Sequence, residues 1–155
     1  MSVSYLKNQK KMYKPTNYTL SELVHPQIIR TIGEKNSWRR LDADCLQDLQ
    51  VIRNAWFNKH GSGIYVNRLD KGIDSRGLRP PNDPDGSFYS THKQGNTFDL
   101  EPVNGDVKGL YQFIIDMVKT SALKKINTLE KHSFTPTWVH VGYMNTDKRP
   151  LIINL

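Results

Sequence analysis

The stretch FYSTHKQGNTFDLEP, residues 88–102, holds His92 and Asp99 seven positions apart, with Gly95 between them. Two readings compete for it: a pair of metal ligands, or a surface loop feeding an ordinary strand. Gly95 can turn the chain tightly after His92, so that Asp99 on the following strand points back toward it. Further along, TWVHVGY (137–143) alternates so that Trp138, His140 and Gly142 share one face and Val139 and Val141 the other. His92, Asp99 and His140 are N and O donors of the kind a catalytic zinc takes, with a fourth position left for water. Spacing alone leaves hydrogen-bonded structural roles open for the same side chains.

The rest of the chain supplies a frame for these residues. TLSELVHPQIIRTI (19–32) reads as a short helix or turn interrupted by Pro26. LDADCLQDLQVIRNAWFNKHG (41–61) is the clearest helix, because Cys45, Leu49, Ile52 and Trp56 step by four, three and four. Asp42 or Asp44 can cap its start and Gly61 can end it. GIYVN (63–67) and NTFDLEPV (96–103) read as strands. Between them residues 68–89 form a long loop rich in Gly and Pro, a length that points to function. DVKGLYQFIIDMVKTSAL (106–123) is a second helix with Leu110, Phe113, Ile114, Met117 and Val118 as its buried stripe. KKINTLE (124–130) and TWVHVGY are further strands. Helices and strands do not alternate as βαβ units, so the expected class is α+β: a small antiparallel sheet with two main helices packed on it.

Composition sets the outer bounds. With 155 residues, 37% of them hydrophobic, the chain suits one domain with a buried core. Residues 1–18 read as a polar N-terminal segment and 19–155 as the domain. Cys45 is the single cysteine, which excludes an internal disulfide and a Cys-based zinc knuckle and leaves a small core hydrophobe. The net charge of +7 favours an anionic partner: nucleic acid, acidic membrane or cell-wall polymer. No nucleic-acid signature accompanies the basic run LKNQKKMYKP (6–15), which reads as a solvated tail. No apolar run is long enough to span a bilayer and no signal peptide opens the chain, so the expected product is soluble and made in the cytoplasm.

Three motifs taken together carry a family resemblance. STHKQGNTFD matches the Ser-x-His-x-x-Gly-x-x-x-Asp signature of the zinc D-Ala-D-Ala carboxypeptidase and L-alanyl-D-glutamate endopeptidase superfamily, the LAS-type peptidases. WVHVGY resembles the strand carrying that family's third ligand, and IYVNRLDKGIDSRGLRP resembles its arginine-bearing segment. The order of parts agrees over roughly residues 20–150, and the likeness is to the small phage-associated members. The resemblance implies a LAS/Hedgehog-type fold in which His92, Asp99 and His140 hold Zn²⁺. It implies that Arg79 binds a substrate carboxylate or polarises the scissile carbonyl, with Arg76 as its competitor, and that Ser90 orients the motif or contacts substrate. Asn67 at the strand end reads as a residue that pins the loop. The implied substrate is a stem or cross-link peptide of bacterial peptidoglycan, cut by a monomeric phage endolysin or virion-associated lysin that reaches the wall after release.

One position departs from the pattern. Many members carry a carboxylate three residues before the last histidine, as the base for the attacking water; here that position is Thr137. Glu130, on the preceding strand, is the expected base, followed by Glu101, with His132 as an assisting acid. The departure also keeps a second expectation open: a catalytically silent relative that retains zinc for binding or structure.

Overall fold

A computed structural model describes residues 11–84 and 90–154. Half of the N-terminal basic run, residues 6–10, and the end of the long loop, residues 85–89, lie outside the described residues. Four helices precede or interrupt five strands: α1 (Leu20–Leu23), α2 (Pro26–Arg40), α3 (Ala43–His60), β1 (Ile64–Tyr65), β2 (Thr97–Pro102), α4 (Val107–Lys119), β3 (Thr128–Glu130), β4 (Val139–Gly142) and β5 (Leu151–Ile153).

The interruption near Pro26 separates α1 from α2, but α2 then runs to Arg40 rather than ending early. Proline is well suited to the first helical position, where its fixed φ fits and no N–H is needed. His25 caps that end by accepting a hydrogen bond from Gln27 N, and α2 kinks at Gly33, whose φ is 80°. Asp42 caps α3 by accepting from Asp44 N and Cys45 N, and Gly61 ends it in the left-handed conformation. Cys45, Leu49, Ile52 and Trp56 are fully buried, as their spacing requires.

The sheet has the order β1-β2-β4-β3-β5. It is mixed, which corrects the expected antiparallel sheet: β5 pairs parallel with β3, while every other neighbour is antiparallel. Two further helices, α1 and α2, join the two expected. β5 has only three residues and no flanking periodicity, so its pairing with a strand 23 positions earlier leaves no local trace.

One face of the sheet, with Phe98, Leu100, Leu129, Val139 and Val141, is almost wholly excluded from solvent and packs into the core with α3 and α4. From α4 the core takes Leu110, Ile114, Ile115 and Val118, while Phe113 and Met117 are only partly buried against it. A buried carboxylate ties α3 to the chain entering β3: Asp48 accepts from Lys124 N, Lys125 N and Ile126 N at 2.7–2.8 Å. Tyr18 is buried too, its hydroxyl donating to Ile64 O at 2.9 Å. No helix among the described residues is long and apolar enough to cross a membrane.

Candidate metal centre

The other face of the sheet carries the polar residues. Asp99 on β2 stands opposite His140 on β4 in the antiparallel ladder. The β3–β4 register, Thr128 with Gly142 and Leu129 with Val141, extended by one residue sets Glu130 opposite His140 on its other side. β3 in turn pairs Glu130 with Ile153 of β5. Asp99, His140, Glu130 and Ile153 therefore form one row across four strands. All four line a single cavity of about 430 Å³.

His92 reaches this row from a 3₁₀ turn, Thr91–Gln94, that runs into β2. Gly95 ends the turn with φ 76°, and a Cβ there would lie 2.1 Å from Arg40 O, so only glycine fits. His92 Nδ1 is 3.0 Å from Gly77 O. A carbonyl only accepts, so Nδ1 is the donor and Nε2 is the nitrogen turned toward Asp99. That Nε2 lies 3.3 Å from Asp99 Oδ1, and His140 Nδ1 lies 2.9 Å from the same oxygen.

These three side chains are buried, and one ligand atom from each falls within 4.8 Å of the others. Ligands of a tetrahedral zinc at 2.0–2.1 Å are about 3.3 Å apart, close to the separations here. The donor set also suits a divalent cation chemically: two imidazoles, one of them oriented by a backbone carbonyl, and one carboxylate. Burial alone would raise the Asp99 carboxyl. The electrostatic interaction with His92 and hydrogen bonds with His140 and His92 outweigh it and hold the group well below the usual carboxylate range. Asp99 thus stays an anion at any ordinary pH, as a ligand must.

The loop before the turn is stitched to the helices. Leu78 N donates to Leu23 O, His25 N donates to Leu78 O, and a Cβ on Gly77 would lie 2.0 Å from Leu23 O. Asn67 pins the loop as its position suggests, accepting from Arg76 N and donating to Ser21 O. Arg79 leaves this loop beside the centre, with Nη2 3.4 Å from Asp99 Oδ2 and Nε donating to Ser75 O. Ser90 also lines the cavity. Arg76 lies elsewhere: it pairs with Glu101, packs over Trp138 at 5.9 Å, and is not part of the lining.

Of the expected bases, only Glu130 faces the cavity. Glu101 is held by Arg76 and, at 3.6 Å, by Arg68, and lies outside the lining. His132 also lies outside it, its ring 5.6 Å from that of Tyr111, and Thr137 is exposed before β4 begins. Sequence reasoning missed the rest of the lining, notably Thr128, Tyr143, Met144 and Ile153. The alternation of β3, with Thr128 and Glu130 on one face, was the signal available for the first.

Compared with known proteins, the chain matches no family model, no curated protein and no solved structure.

Proposed function

We propose that this chain is a zinc-dependent peptidase acting on the peptides of bacterial peptidoglycan. The observation that carries the proposal is the row Asp99–His140–Glu130 across β2, β4 and β3, with His92 and Arg79 beside it, in one cavity. A metal site alone fits a structural role; a metal site with a carboxylate one strand away and a guanidinium at its rim fits hydrolysis.

His92, Asp99 and His140 would hold the ion, which when bound supplies Lewis acidity and a lowered pKa for water. Glu130, half-buried one strand from His140, would accept the proton of the attacking water and return it to the departing amine. It takes the place of the carboxylate that Thr137 lacks. Arg79, which lines the cavity, would meet a carbonyl or carboxylate oxygen of the peptide. The choice of peptidoglycan follows from the family resemblance and from the net charge of +7, which suits an anionic wall. In this reading the protein works as a monomeric lysin that meets the wall after release from the cell that made it. Exposed Thr137 favours one competing reading, a silent relative that keeps the ion without catalysis.

Mass spectrometry of purified sacculi incubated with the zinc-loaded protein tests the proposal and names the bond. New peptide termini that vanish with chelator are the expected result. Intact sacculi with fully loaded protein would leave the silent relative.

A further inference from the structure

The row of residues does not end at Glu130. We propose that the part of the cavity built by Ile153, beside Glu130 on β5, and by Tyr143 and Met144, just past the end of β4, is a subsite for an uncharged aliphatic group of the substrate, on the side of the scissile bond away from Arg79. The inference rests on the peptidase reading of the same cavity and adds to it a polarity of binding.

The two ends of the row differ in chemistry. Arg79 meets Asp99 at the β2 end, whereas Ile153 stands on β5, three strands further on. At about 4.8 Å per strand the ends are about 14 Å apart, room for a dipeptide between them. Apart from Glu130 itself, the described lining around Ile153 and the end of β4 carries no charge, and the Thr128 hydroxyl, one row along β3, is engaged with Asn127 Oδ1 at 2.8 Å. An anion placed against Ile153 would lose water and meet the Glu130 carboxylate, a cation would tie up the carboxylate proposed as base, and an aliphatic group gains by leaving water.

Asn127 is one of the residues that hold this wall in place. Asn127, 1% exposed, treats Met144 as a strand partner: Nδ2 donates to Met144 O at 2.9 Å and Oδ1 accepts from Met144 N at 3.1 Å. Its own backbone N donates to Gly142 O at 3.0 Å and its carbonyl accepts from Leu151 N at 2.8 Å. Asn127 therefore fixes the end of β4 and the start of β5 together. Met144, though 39% exposed, is set at the cavity rim by backbone bonds rather than left to a free tail.

The test compares acetohydroxamate with hexanohydroxamate, both of which anchor to a divalent metal and differ only in chain length. Calorimetry with cobalt-loaded protein gives the affinities, and the visible spectrum of cobalt gives the loading independently. Each buried methylene is worth a factor of about four, so the longer acid binds at least about tenfold tighter. In Met144→Asn and Ile153→Asn the advantage falls below about threefold, with cobalt uptake and acetohydroxamate affinity kept; the exposed position of Met144 protects the first variant from misfolding. Equal affinities in the unsubstituted protein, or an undiminished advantage in both variants, overturn the subsite and leave the metal centre standing. A protein that takes up no cobalt overturns the peptidase reading and the subsite with it.

Discussion

Asp99 and His140 face each other directly across the β2–β4 ladder, with Oδ1 of the first 2.9 Å from Nδ1 of the second. Two potential ligands are thereby fixed by backbone pairing rather than by flexible side chains, and His92 is fixed by the Gly77 carbonyl. A site held in this way would be organised before any ion arrives.

The first prediction concerns the ion. Protein purified and loaded with zinc should carry about one ion per chain, and His92→Ala or His140→Ala should abolish it. Zinc at a hundred times its dissociation constant should add about 2.7 kcal/mol of stability, read as a rise in Tm that chelator reverses. A Tm indifferent to zinc would count against the centre.

The second separates Glu130 from Glu101. Glu130→Gln should lower kcat by about 10²–10⁴ with zinc content and Tm nearly unchanged, since the role proposed for it is to move a proton. Glu101→Gln should spare kcat and lower stability instead, because Arg76 and Arg68 lose their partner. The reverse pattern would assign the base to Glu101.

The third concerns Asp48, which accepts three backbone N–H groups while 1% exposed. Asp48→Ala strands those donors and should cost about 3 kcal/mol in urea unfolding. A loss below about 1 kcal/mol would show that the chain entering β3 finds other acceptors.

The fourth is a pH dependence. Burial alone would raise the Asp42 carboxyl, but the hydrogen bond from Lys125 and those from the start of α3 outweigh it and lower it. The folded protein then binds fewer protons than the unfolded chain, so this contribution is complete above the unfolded value of about 3.9 and lost as pH falls through the folded one. For Lys125 the hydrogen bond to Asp42 leads and raises the ammonium pKa, so its share is complete below about 10.4 and lost at higher pH. The stability difference between the protein and Asp42→Ala should be flat from about pH 5 to 10 and shrink outside that window. A difference that keeps growing below about pH 4 would contradict the pairing.

Much of this was legible in the residues, for identifiable reasons. The α3 stripe, the alternation around His140 and the glycine after His92 are local signals, and each produced the expected element. Residues whose work is long-range left no such mark. Asp48 sits within an ordinary helix and shows its role only when residues 124–126 arrive, and Asn127 shows its role only once Met144 and Leu151 are in place. The parallel partner of β3 was hidden for the same reason. Glu130 is intermediate: its alternation gave the face, but only the register with β4 set it opposite His140.

The stitching of the loop at Gly77 and Leu78 to Leu23 has a kinetic consequence. The contacts that assemble the centre join residues 23 with 78, 99 with 140 and 48 with 125, all far apart along the chain. Each requires a large loop to close before it returns any energy, which makes folding slow and concentrates it in a late step. No short segment can hold His92, Asp99 and His140 together by itself. On refolding, tight metal uptake should therefore emerge at the same rate as the final tertiary signal, with no earlier phase of its own.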